Sequence, residues 1–246
     1  MPERTKDNIS SLAELLAAVI SDYPETDTIW FRGQADASWP LECSLARNGG
    51  SNREMPLIRR FKQNALLIMN PKPASEWEWL FTMQHYGLPT RLLDWSESPL
   101  AALYFAVSDP KYEDKPAALW ALDPHKFNEK GRFDSNQIPC FDDDSHLKSY
   151  LPFSVDSRGQ QKLSPLAVLA ARNTPRILSQ QGVFVVFHKN LDPLDISDGT
   201  VIWKYVIPSI LKRELKNALR VLGIHRLSLF PELDYVAQHA IGQCNE

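Results

Sequence analysis

Arg32-Gly33 closes the apolar run Ile29-Trp30-Phe31. A guanidinium at the end of a strand, with a flexible glycine backbone turning away behind it, presents a planar fork that suits a pyrophosphate or a carboxylate. The competing reading is an ion pair with one of the chain's 30 acidic residues. Further on, HYGLPTRLLDWSESPLAALYF at 85–105 sets His85, Tyr86, Thr90, Arg91, Asp94, Trp95 and Ser96 among apolar residues. Polar and amphipathic groups gathered at element ends are the usual material of a binding site. Arg91 and Asp94 are three residues apart, so on a strand, where side chains alternate with period 2, they cannot share a face and need separate partners. Either the stretch is one wall of a ligand pocket, or Leu93 and Trp95 pack while Arg91 and Asp94 bond to neighbouring turns. His85 is likewise either a base or a histidine satisfied at a helix end.

Several other chemistries are excluded by pattern. No GxGxxG, GxxxxGK[ST] or GxSxG occurs, which removes ordinary dinucleotide domains, P-loop NTPases and the α/β-hydrolase elbow. His85, Asp94, Asp142, Asp144 and His146 lack any metal-site spacing, so no metal is expected. Cys43, Cys140 and Cys244 lie far apart, without a CxxC pair, and fit a reducing compartment. The formal net charge of -3 gives no global attraction to phosphate polymers or anionic membranes. MPERTKDNIS is too charged for a signal peptide, and no apolar run approaches the roughly 18 residues of a membrane span. The expectation is a cytoplasmic protein without a membrane partner.

The elements that must position these residues follow from caps and periodicity. With 246 residues, 43% of them hydrophobic, the chain can bury a substantial core. Ser11 to Glu14 and Ser75 to Glu78 are capping-box patterns, predicting helices over 12–21 and from 75 to the Gly87 stop. Apolar spacing predicts a helix over 54–69, ended by Pro71 and Pro73, and Ser98-Pro99 opens another over LAALYFAV. WFRG, TRLLDW, AALWALD, VFVVF and VIWKYVI read as strands, PLAVLAA as a short apolar helix, and Ile210 to Leu222 and the segment after Pro231 as helices. Residues 124–163 turn polar and read as an insertion or mobile loop. The predicted class is α+β, with an N-terminal helix in 1–24, a main body over 25–190, and a C-terminal strand and helices over 191–246 packing on the same core.

WFRGQ at 30–34, HYGLPTRLLDWSESPLAALYFA at 85–106 and RILSQQGVF at 176–184 together resemble the FRG domain family, named for its Phe-Arg-Gly motif, with LFPELD at 229–234 a weaker match. More loosely, the order of motifs is similar to ADP-ribosyltransferases of the arginine-serine-glutamate type. Phe31-Arg32-Gly33 resembles their first strand end, and LLDWSESPLAALYFA their second strand and helix, with Asp94-Trp95-Ser96 in place of the serine-containing triplet.

That resemblance implies a split mixed or antiparallel sheet with flanking helices, NAD as substrate, and cleavage of the N-glycosidic bond through an oxocarbenium-like state. It implies a reacting centre of Arg32, Asp94, Ser96 and Gln181, and NAD contacts from Arg32, Gly33, His85, Tyr86, Thr90, Arg91 and Trp95. Arg32 would grip the pyrophosphate or the adenosine-side ribose. Asp94 or Ser96 would support the nicotinamide ribose, and Tyr86 or Trp95 would stack on the nicotinamide. Gln180-Gln181 stands where such transferases carry a glutamate, so Asp94, Glu214 or Glu232 substitutes or transfer activity is lost. The implied role is a transferase or NAD-cleaving enzyme acting on a protein or nucleic-acid acceptor, such as a bacterial toxin or phage-defence effector. The alternative is a non-catalytic nucleotide or nucleic-acid binding module with the same pocket.

Overall fold

The structure, a computed structural model, describes residues 4–6, 9–22, 28–133, 137–141, 145–157, 162–171 and 174–244. The acidic run Asp142 to Asp144 lies outside them. Seven strands, β1 (Arg4–Lys6), β2 (Trp30–Gln34), β3 (Leu92–Ser96), β4 (Ala117–Leu122), β5 (Leu166–Leu169), β6 (Gly182–Val186) and β7 (Ile202–Ile207), form one sheet. Its order is β1-β7-β4-β2-β3-β6-β5; β1 runs parallel to β7 and all other neighbours are antiparallel. The helices are α1 (Leu12–Asp22), α2 (Ser44–Arg47), α3 (Glu54–Ala65), α4 (Glu76–His85), α5 (Pro99–Val107), α6 (Pro124–Lys130), α7 (Pro152–Ser157), α8 (Pro175–Ser179), α9 (Lys212–Val221), α10 (Arg226–Leu229) and α11 (Leu233–Cys244). The class is α+β, as the element pattern predicts.

The sheet is nearly divided in its middle. β2 and β3 share only the pair Phe31 and Ser96, whereas β2 pairs with β4 along its whole length and β3 with β6 along its own. Beyond that pair the two strands separate, and continuing the register shows that Gly33 and Asp94 would have faced each other across the gap.

One face of the sheet carries a continuous apolar layer, including Trp30, Trp95, Trp120 and Phe187, closed by Leu41, Cys43, Leu45, Leu194 and Val201. The other face carries two separate clusters. Phe31, Leu119, Trp203 and Tyr205 pack under α1, α5 and α9, while Leu92, Phe184 and Val186 pack under α3 and α4. Pairing of Phe31 with Ser96 places both clusters on the same side.

Two sequence readings change. PLAVLAA is not helical: Leu166–Leu169 forms β5 and pairs with β6. A short run apolar on both faces carries no periodicity to separate a buried strand from a buried helix. The segment 124–163, polar as it is, supplies α6 and α7 and buries Phe141, Leu147, Tyr150 and Val155 against the core. Its few apolar residues are spaced to bury singly, which an average over the segment conceals.

Candidate functional site

A cavity of about 610 Å³ opens where the two clusters meet, within the ~300–1,000 Å³ range of small-molecule sites. Phe31 and Ala102 come from one cluster, Phe81 and Phe184 from the other. The separation of β2 from β3 leaves a gap at the sheet.

Arg32 spans that gap. Its Nη1 donates to the Asp94 carbonyl at 2.5 Å and lies 4.0 Å from the Asp94 carboxylate. The side chain is 17% exposed, and Nε is buried without a hydrogen-bond partner among the described residues. Burial draws the guanidinium below its ordinary value, with Asp94 opposing that pull and Arg47 adding to it. An arginine remains charged under any such shift, so this is an unsaturated cation at the pocket wall.

Asp94 is the one exposed position of β3. Gln84, on α4, donates from Nε2 to its Oδ1 at 2.5 Å, and the Thr90 hydroxyl donates to Gln84 Oε1 at 2.5 Å. Thr90 thus fixes which way the amide faces, and the amide fixes the carboxylate. Local sequence places Gln84 here: Ser75 caps α4 by accepting from the Glu78 N–H, and Gly87, at φ 78°, lets the chain turn off the helix into β3.

The opposite rim comes from late in the chain. Glu232, just before α11, lies 3.9 Å from His85 Nδ1 and 4.0 Å from Arg176 Nη1. Arg176, on α8, rests its guanidinium over the Phe230 ring at 4.7 Å. Both Glu232 carboxylate oxygens are buried and lack a hydrogen-bond partner among the described residues, although the side chain as a whole is 28% exposed. At distances near 4 Å neither His85 nor Arg176 satisfies these oxygens with a hydrogen bond. Glu214, the other acid the sequence allowed, is exposed on α9 and does not line it.

Burial, reinforced by Arg176 and opposed by Glu232, holds His85 below the ordinary histidine value of 6.5. Between the folded value and 6.5 the unfolded chain binds more protons, so stability rises with pH there and falls as pH drops. Urea unfolding of wild type and His85→Gln from about pH 8 to about pH 5 should show the wild type losing ground to the variant below pH 6.5. A constant difference between them over that range would show that His85 is unperturbed.

Arg32, Gly33, His85, Tyr86, Asp94, Trp95 and Ser96 all line the cavity, while Thr90, Arg91 and Gln181 do not. Arg91 is 1% exposed and forms a two-pronged pair with Glu54, Nε to Oε1 at 2.8 Å and Nη2 to Oε2, while Nη1 donates to the Phe187 and His188 carbonyls. It holds the fold: four of its five N–H donors are engaged and its burial closes it to a nucleotide. Gly33 serves packing: an added Cβ would lie 1.8 Å from the Ala102 carbonyl oxygen of α5. The Ser96 hydroxyl donates to the Gln180 carbonyl at 2.6 Å and accepts from the Ser98 N–H at 2.9 Å, tying β3 to the turn before β6. Gln181 points out of the site at φ 47°, its carbonyl accepting from the Glu97 N–H at 3.0 Å, and Gln180 lines the wall instead. Trp95 is buried, so of the two aromatic residues expected to stack, Tyr86 is the exposed one, its ring set beside His85 at 4.9 Å.

No curated protein and no solved structure matches the chain. The model of the FRG domain matches residues 27–115, from the approach to β2 to the turn after α5. This span, which is similar to that family, holds Arg32, Gln84, His85 and Asp94.

Proposed function

We propose that the cavity binds NAD and that the chain cleaves its nicotinamide–ribose bond, passing ADP-ribose to water or to a protein or nucleic-acid acceptor. One observation carries this reading: one aromatic-lined cavity has in its wall both an arginine whose Nε and a glutamate whose two carboxylate oxygens lack a hydrogen-bond partner among the described residues. Arg32 suits the pyrophosphate, and Asp94, oriented through Gln84, suits ribose hydroxyls. As the glycosidic bond breaks, its electron pair moves to the nicotinamide nitrogen and cancels the pyridinium charge. Positive charge passes to the ribose ring, where the Glu232 carboxylate stabilises it. The acceptor's lone pair then bonds to the ribose carbon, and the acceptor's proton leaves to solvent; with water the products are nicotinamide, ADP-ribose and a proton.

NAD at about 100 times its dissociation constant contributes about 2.7 kcal/mol, a rise of roughly 5 to 10 °C in melting temperature. Wild type should show this rise and release nicotinamide. Arg32→Ala should bind NAD at least about tenfold more weakly. Glu232→Gln should keep most of the binding and lose about a hundredfold in release, the scale of removing one preorganised electrostatic contact. No rise and no nicotinamide from wild type would overturn the proposal.

A second reading keeps the pocket without the reaction, and the neutral amide of Gln180 on the wall favours it. It predicts NAD-dependent stabilisation lost in Arg32→Ala, unchanged in Glu232→Gln, and no nicotinamide from any variant. A nucleic-acid ligand would instead show binding that weakens steeply with salt.

A further inference from the structure

A smaller cavity of about 140 Å³ shares Arg32, Gln84 and Asp94 with the main one. Its remaining polar wall comes from Ser44 and Arg47 on α2. This short helix is fastened to the turn before β3: the Leu45 N–H donates to the Thr90 carbonyl at 3.0 Å, and Ser44 Oγ accepts from the Thr90 N–H at 3.0 Å. Arg47 Nη1 donates to the Glu42 carbonyl at 2.8 Å, which fixes one edge of its guanidinium and leaves the rest for the cavity.

The charges here do not balance. Two guanidinium groups meet one carboxylate, and Asp94 is already engaged through Oδ1 by Gln84 and through its carbonyl by Arg32. Arg47 acts on Arg32 as a like charge. Like charges gathered in a concave site call for an anion. At about 140 Å³ against about 610 Å³ for the main cavity, it offers room for a small oxyanion beside a larger ligand.

We propose that the small cavity is a phosphoryl subsite, in which Arg47 and Arg32 together hold one phosphate of a ligand whose remainder fills the main cavity. The proposal rests on the nucleotide reading of that cavity. It adds Arg47, a residue outside the Phe-Arg-Gly motif, which lies within β2 and not at its end, as a determinant of affinity.

Calorimetric titration of wild type, Arg47→Gln, Arg47→Lys and Arg213→Gln with inorganic pyrophosphate, NAD and NADP tests it. Arg213 is exposed on α9 and controls for a general loss of positive charge. Pyrophosphate should bind wild type, weaken about tenfold in Arg47→Gln, recover in part in Arg47→Lys, and change less than about twofold in Arg213→Gln. A tenfold weakening of both NAD and NADP would assign the subsite to the dinucleotide's own pyrophosphate; weakening of NADP alone would assign it to the additional phosphate. Pyrophosphate binding that depends on Arg47, with no NAD or NADP binding by wild type, would sustain the subsite and overturn the NAD reading. NAD, NADP and pyrophosphate affinities all unmoved by Arg47→Gln, in a variant that melts as wild type does, would overturn the subsite and leave the NAD reading standing.

Discussion

Arg91→Met should destabilise the chain by about 3–5 kcal/mol, the effect of removing one partner from a buried ion pair. Glu54 is 2% exposed and faces Arg91 through both carboxylate oxygens. Methionine would leave that carboxylate charged, desolvated and without its counter-ion. The Phe187 and His188 carbonyls at the end of β6 would lose their donor as well. Replacing both partners with apolar residues removes the orphan charge, so Arg91→Met with Glu54→Leu should recover most of the loss. Urea unfolding of the three chains measures this. A single-variant loss below about 1 kcal/mol, or a double variant less stable than the single, would show that Glu54 finds water or another donor when Arg91 is gone.

Gly33→Ala should be nearly as damaging, about 3 kcal/mol, at the upper end of overpacking effects. The added methyl would meet the Ala102 carbonyl oxygen at 1.8 Å and the Ala106 nitrogen at 2.7 Å. These are backbone atoms of α5, so no rotamer change relieves the clash and the helix must move off β2. Ala102 and Phe105, both lining the cavity, would move with it. Ala102→Gly should not rescue the variant, because it removes a side chain and leaves the carbonyl in place. Rescue by that second change, measured by urea midpoint, would mean that the obstruction is a side chain after all.

Much of the fold could be read in the sequence because its signals are local. Ser75 and Ser98 cap α4 and α5 as their spacing indicates, and Pro99 sits at the start of α5. Even where the capping box is only half right, the boundary holds: the Glu78 carboxylate accepts from the Ala74 N–H, one residue before the cap. Of the polar groups crowded over 85–96, His85, Tyr86, Asp94, Trp95 and Ser96 line the cavity and Thr90 and Arg91 do not. What could not be read was partnership across the chain. Arg91 looked like a ligand donor because Glu54, which saturates it, is 37 residues upstream. Gly33 looked like a flexible turn behind Arg32 and, by resemblance, an NAD contact, because nothing local shows that α5 presses on it. Glu232 stands in the weak LFPELD match as one of three candidate acids, and only the closed fold brings it to His85. Arg47 and Gln84, each an ordinary polar residue on a helix, gain meaning only from the strand gap they border.

The near-division of the sheet bears on what kind of unit the matched segment is. Residues 27–115 contain just two of the seven strands, β2 and β3, and these touch at one residue pair. The main partner of β2 is β4, beginning at Ala117, and that of β3 is β6, beginning at Gly182. Excised, the family segment would keep its motifs and lose nearly all the backbone pairing that shapes them. It is a signature written on part of a fold, not an autonomous module, and it would not keep its shape if transplanted without the strands on either side.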